Sequence, residues 1–214
     1  MKIIGFNGSN RKTGNTAKLL ENVLNGAVSE GAETKLIHLY DLNYKGCRSC
    51  FNCKVKNGTN YGKCSIHDDL EPIFKDIENA DAIVLATPIY YRTVSGEMKS
   101  FIERLLFPYV TYTTPPITLF PKKIKVGFIY TMNNNETEMK ENGIDKHLSV
   151  FEMVSQWAFG PIEKLYSFDT FQFPDYSKFV ADRFDPIKKA KQRDDAFPFD
   201  CKKAFDMGIR MTQK

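Results

Sequence analysis

The apolar run Ile3-Ile4-Gly5-Phe6 leads directly into Gly8-Ser9-Asn10-Arg11-Lys12-Thr13-Gly14-Asn15-Thr16. A short buried strand that ends in a turn rich in glycine and hydroxyl groups, and then opens a helix, gathers backbone N–H groups into a nest that binds phosphate. An ordinary N-cap needs one hydroxyl or amide side chain; this turn has five, at Ser9, Asn10, Thr13, Asn15 and Thr16. The turn lacks the Gly-Lys-Ser/Thr ending that a triphosphate loop uses to reach the outer phosphates. It also lacks the Gly-x-Gly-x-x-Gly spacing that lets backbone approach a bridging pyrophosphate. A cysteine phosphatase would carry Cys-x5-Arg in this loop, and the loop has no cysteine.

With Arg11 as a cation, the turn suits a terminal phosphate monoester, such as that of FMN. The rest of the chain supplies a matching scaffold. Strands are expected at 2–6, 34–39, 82–87, 125–130 and 162–168, and helices at 68–79, at 95–106 and within 136–159. The first helix carries Leu19, Leu20, Val23, Leu24, Ala27 and Val28 on one stripe. The run Ala82-Ile83-Val84-Leu85-Ala86 is apolar on both faces, as in a buried parallel strand. Strands alternating with helices imply an α/β fold, a doubly wound five-stranded parallel sheet with its ligand beyond the carboxyl ends of the strands.

That placement directs attention to the loops after the third and fourth strands. Pro88-Ile89-Tyr90-Tyr91-Arg92-Thr93-Val94-Ser95-Gly96 has the composition to hold a flat ring, with proline stiffening the turn and tyrosines lying against an aromatic face. The alternative is that these tyrosines are half-buried packing residues. Thr131-Met132-Asn133-Asn134 would form a third wall. Cys47, Cys50 and Cys53 are spaced by two residues, and Cys64 follows ten residues later. That spacing gathers thiolates around one centre, as iron–sulfur clusters and some zinc sites require; free thiols or a disulfide are the plain alternatives. Cys201 stands apart as a bystander.

Composition narrows the classes further. Two hundred and fourteen residues with 42% hydrophobic content can bury one sizeable core. A net charge of +4, scattered along the chain, gives no case for nucleic acid. No apolar run is long enough to span a membrane, and the odd, clustered cysteines favour reduced thiols, so a cytoplasmic protein is expected. Residues 1–170 are expected to form the main domain, and 171–214 an extension. Its aromatics would rest either on a partner subunit or on the chain's own sheet, and Lys188, Lys189, Lys191 and Arg193 would form a solvated helix face. His38 reads as a strand-end packing residue and His67 as part of a turn.

The ordered segments GFNGSNRKTGNT, GCRSCFNCK with KCSIHDDL, and ATPIYYRTVSGEMKSFIER resemble the flavodoxin-like NADPH-dependent FMN reductase family, and within it the iron–sulfur flavoprotein group. The likeness covers roughly residues 1 to 165. It implies bound FMN, with Ser9, Asn10, Arg11, Gly14, Asn15 and Thr16 at the phosphate. Pro88, Ile89, Tyr90, Tyr91, Arg92, Thr93, Val94, Gly96 and Thr131 would lie about the rest of the cofactor. It further implies a [4Fe-4S] cluster on Cys47, Cys50, Cys53 and Cys64, a nicotinamide nucleotide or ferredoxin-type donor, a small-molecule acceptor, and a homodimer or homotetramer. In the group the fourth cysteine follows the third after about half as many residues, so 57–61 reads as an insertion. Doubling a loop costs about 0.6 kcal/mol in closure entropy, which leaves cluster binding open. Three readings stand: an oxidoreductase passing electrons from NAD(P)H through FMN to a small acceptor, an FMN and iron–sulfur electron carrier, and a non-redox phosphate-binding protein with structural zinc.

Overall fold

The computed structural model describes residues 1–213. Five parallel strands, β1 (Lys2–Asn7), β2 (Glu33–His38), β3 (Ala82–Tyr90), β5 (Lys125–Thr131) and β6 (Ile162–Ser167), form the sheet, and the two-residue β4 (Thr93–Val94) pairs antiparallel with the end of β3. The spatial order is β2-β1-β3-β5-β6. Counting the parallel strands alone, this is the 2-1-3-4-5 order of doubly wound flavodoxin-like sheets, whose direction reverses between β1 and β3. Ile3 pairs with Ala82 and Asn7 with Ala86 across that switch point.

Strand alternation sends successive residues of β3 to opposite faces. Ala82, Val84 and Ala86 meet α1 (Asn15–Ser29) and α7 (Phe197–Thr212), in a layer with Leu20, Val23, Met207 and Met211. Ile83 and Leu85 face α2 (Leu70–Asn79), α3 (Gly96–Leu106) and α5 (Ile144–Ala158), in a layer with Ile73, Met98, Phe101 and Leu148. Both faces of the central strands are therefore dry, which is why their sequence shows no polar alternation.

Two elements depart from the sequence expectation. β3 runs three residues past Thr87, because Ile89 and Tyr90 pair with Val94 and Thr93. The expected single helix within 136–159 is two, α4 (Glu136–Glu141) and α5, broken at Gly143, whose φ of 65° favours glycine. The extension holds α6 (Pro186–Lys191) and α7, and α7 lies on the chain's own sheet along α1. Gly26 and Gly208 allow that contact: a Cβ at Gly26 would stand 2.0 Å from the Phe205 carbonyl oxygen, and one at Gly208 1.9 Å from that of Val23. Lys189, expected on a solvated face, is 4% exposed and pairs with Asp169 and Asn133. Among the described residues no helix is long and apolar enough to cross a membrane.

Candidate functional site

Gly14 precedes α1 in extended conformation, and no side chain caps the helix. The first N–H groups of α1 are thus left to an external acceptor, with the positive end of the helix dipole behind them. The turn before it is held by its own polar groups: Ser9 N–H donates to Asn7 Oδ1 at 3.0 Å, and Arg11 N–H to Ser9 Oγ at 3.2 Å. Ser95, the N-cap of α3, donates its hydroxyl to the Gly8 carbonyl at 2.7 Å and accepts from Met98 N–H, which locks the turn to the start of α3. At the end of β1, Asn7 Nδ2 and His38 Nδ1 lie 3.0 Å apart, a packing role for that histidine.

A cleft of about 150 Å³ opens over this nest at the carboxyl ends of β1, β3 and β5. Ser9, Arg11, Gly14, Asn15 and Thr16 line one end, Pro88, Ile89 and Tyr90 one side, and Thr131, Met132 and Asn133 the other. Thr16 Oγ1 and Thr131 Oγ1 share a hydrogen bond of 2.7 Å, so the nest is braced against β5. Arg11 supplies the only charge among the described lining residues. An uncapped helix end, clustered hydroxyls and one guanidinium form a donor set that fits a phosphate dianion, and the half-exposed Tyr90 ring beside Pro88 fits a flat aromatic partner.

Six of the expected residues lie outside this lining. Asn10 is exposed on the turn. Tyr91 and Arg92 form the tip of the β3–β4 hairpin with φ of 47° and 69°, Tyr91 fully exposed and Arg92 donating to Asn142 Oδ1 at 3.0 Å. Two positive φ values in a two-residue hairpin match a type I′ turn, normally an Asn-Gly position, so the turn carries no sequence signal. Val94 faces the core, Thr93 is half-buried, and Gly96 begins α3.

Thr170, Phe171 and Gln172 complete the cleft instead. Arg11 Nη1 donates to the Gln172 carbonyl at 2.6 Å and Asn15 Nδ2 to that of Phe171 at 2.9 Å. Phe171 is steadied by the Tyr176 ring and by the Arg193 guanidinium 4.6 Å from its centroid. The rule that directed attention past β3 and β5 applies equally past β6, and the aromatic string after Phe168 was the available signal.

The four clustered cysteines line a second, small cavity of about 20 Å³, together with Glu103, Arg104, Phe107 and Pro108. Ser49 and Phe51 flank Cys50 in the left-handed region, φ 54° and 58°, so the chain turns sharply on either side of it. The Asn52 backbone N–H holds the exposed Cys50 thiol below its ordinary pKa, whereas burial pushes that of Cys53 up. Lys54 reaches the carbonyls of Phe107, Pro108 and Val110 just past the end of α3 and pins the loop there. Among the described residues no three His, Cys, Asp or Glu side chains are gathered closely enough for a single metal ion. A tetrahedral zinc with bonds of about 2.3 Å would hold its sulfurs within about 4 Å of one another.

Residues 1–164 match the family model described as NADPH-dependent FMN reductase. Over 104 residues the chain is 40% identical to an iron–sulfur flavoprotein of Methanocaldococcus jannaschii, 49% of this chain and 51% of that protein. The chain spans about half the length of the curated relatives it matches. An NAD(P)H:quinone oxidoreductase from Methanothermobacter marburgensis superposes with a TM-score of 0.70 at 13% identity, over 99% of this chain and 98% of that one. An FMN-dependent NADH-azoreductase from Bacillus anthracis, in complex with FMN, gives 0.67 at 11% identity over 100% of both. At such identities the likeness is one of fold.

Proposed function

Since the chain belongs to the NADPH-dependent FMN reductase family, we propose that it is an FMN-dependent oxidoreductase that takes electrons from NAD(P)H and passes them to a small acceptor. The observation that carries this reading is the uncapped N-terminus of α1 opening into a cleft with one cation and a tyrosine wall. Ser9, Thr16 and the first N–H groups of α1 would hold the phosphate. Arg11 and Asn15 exchange their present bonds to Gln172 and Phe171 for it, or keep them and fix the strap beside it. Pro88, Ile89 and Tyr90 would orient the ring and keep water from one side. FMN held there would supply the hydride-accepting and one- or two-electron-releasing chemistry, so the protein need supply no nucleophile.

A second reading is favoured by the cysteine cavity: an electron carrier whose FMN exchanges single electrons with a [4Fe-4S] cluster on Cys47, Cys50, Cys53 and Cys64. Four thiols around one cavity supply the donor set, and a cluster spreads its ligands wider than a single ion does. Cys64 joins the lining of this cavity from beyond the 57–62 segment, no residue of which lines it. Asn57 and Gly62, both with positive φ, bound that segment. α3 links the two sites, since Ser95 at its start and Arg104 near its end are separated by about 13 Å of helix rise.

The test is an absorbance spectrum of protein purified without oxygen, before and after NADH or NADPH, with iron and acid-labile sulfide measured on the same sample. Flavin bands that bleach on addition of either nucleotide support the first reading. Iron and sulfide in cluster proportion support the second. Protein that is colourless and takes up no added FMN overturns both.

A further inference from the structure

Arg104 is 1% exposed, and burying a guanidinium costs several kcal/mol unless each face of its charge is answered. Asp68 answers most of it, accepting from Nη1 at 2.8 Å and from Nη2 at 3.2 Å, while Nη1 also donates to the Lys45 carbonyl at 2.9 Å. Nε–H donates to Cys64 Sγ at 3.1 Å. Lys45 lies just before Cys47, and Asp68 just after Cys64. One side chain on α3 therefore closes the neck of the whole cysteine loop, whatever the length between Cys53 and Cys64.

We infer that Arg104 is a positioning residue that holds Cys64 at the cluster and sets the cluster's reduction potential through its Nε–H···Sγ bond. The inference rests on the iron–sulfur reading above. A hydrogen bond and a nearby positive charge stabilise the more negative, reduced cluster, while Asp68 offsets part of that charge. The couple concerned takes up one electron, and no bond is made or broken. Removing the two partners should therefore shift it in opposite directions, which a residue that merely ties the loop would not do.

The experiment is anaerobic reconstitution of the full chain with ferrous iron and sulfide, for the wild type, Arg104→Gln and Asp68→Asn. Iron, sulfide and FMN are counted, and dithionite titrations with redox mediators follow the cluster by electron paramagnetic resonance and the flavin by absorbance. Arg104→Gln is expected to lower the cluster midpoint by at least a tenfold change in the reduced-to-oxidised ratio, about 59 mV for one electron. Asp68→Asn is expected to raise it, with the flavin midpoint unchanged in both. Loaded variants with wild-type cluster potentials, or with shifts of the same sign, would overturn the inference. If Arg104→Gln loses FMN along with iron, it has misfolded. Asp68→Asn, which keeps the Nε–H donor, then decides: an upward shift supports the inference and no shift overturns it. A wild type that takes up no iron defeats the cluster reading and this inference with it, an outcome distinct from loaded proteins of equal potential.

Discussion

At the scale of single residues, Ser9 and Thr16 are both buried at the nest, 5% and 3% exposed, and line the cleft in which the phosphate is proposed to sit. A hydrogen bond to a charged group contributes about 1.5–3 kcal/mol. Ser9→Ala with Thr16→Ala should therefore weaken FMN binding by about two to four orders of magnitude while leaving the fold intact. Flavin fluorescence titration of the purified double variant checks this, and an unchanged dissociation constant would move the phosphate elsewhere. Cys50 is the exposed member of the cysteine set, so Cys50→Ser should cost little stability. It should abolish iron and sulfide uptake while FMN per chain stays at the wild-type level; surviving iron would mean that Cys50 is not a ligand. Much of this site was legible residue by residue, because hydroxyls, amides and cysteines declare their chemistry by type. Phe171 and Gln172 were not, since they contribute backbone carbonyls to Arg11 and Asn15, and any residue type carries a carbonyl.

At the scale of elements, legibility followed burial. β1 and β3 showed themselves as apolar runs because both their faces are covered. The β3–β4 hairpin stayed hidden because Tyr91 and Arg92 occupy positions that glycine or asparagine would mark. Such residues cost about 1–2 kcal/mol each in the left-handed region, strain of the kind that collects beside binding clefts. The α1–α7 contact was equally unmarked, since two glycines in two helices say nothing about meeting. Their meeting makes a sharp prediction. Gly208→Ala puts a methyl group on the Val23 carbonyl, an obstacle of backbone that no rotamer change removes. Overpacking of this kind costs about 1–3 kcal/mol, more than the helix propensity gained from alanine. Urea unfolding should show a lower midpoint with unchanged slope. A midpoint at or above that of the wild type would mean that α7 does not lie on α1.

At the scale of the molecule, the parallel sheet brings the candidate cleft to one end and a group of ion pairs to the other. At the amino ends of β1 and β3, Asp81 accepts the Lys2 backbone N–H at 2.8 Å, and Asp76 of α2 pairs with Lys35 of β2 at 2.6 Å. The Lys2 N–H, with Lys122 nearby, holds the Asp81 carboxyl below its usual range, and Lys35, with Lys2, does the same for Asp76. A depressed folded-state pKa means that the unfolded chain binds more protons in acid. The stabilisation is therefore full above the unfolded carboxylate value of about 3.9 and is lost as the pH falls through the folded values. The thermal midpoint of FMN-free protein should be nearly level from pH 7 to about 5 and should fall below about pH 4. Asp76→Asn with Asp81→Asn should lower the midpoint at pH 7 and flatten the acid limb, because the paired carboxylates no longer titrate. An acid limb as steep as that of the wild type would place the acid sensitivity in other carboxylates and leave the amino end of the sheet without a part in it.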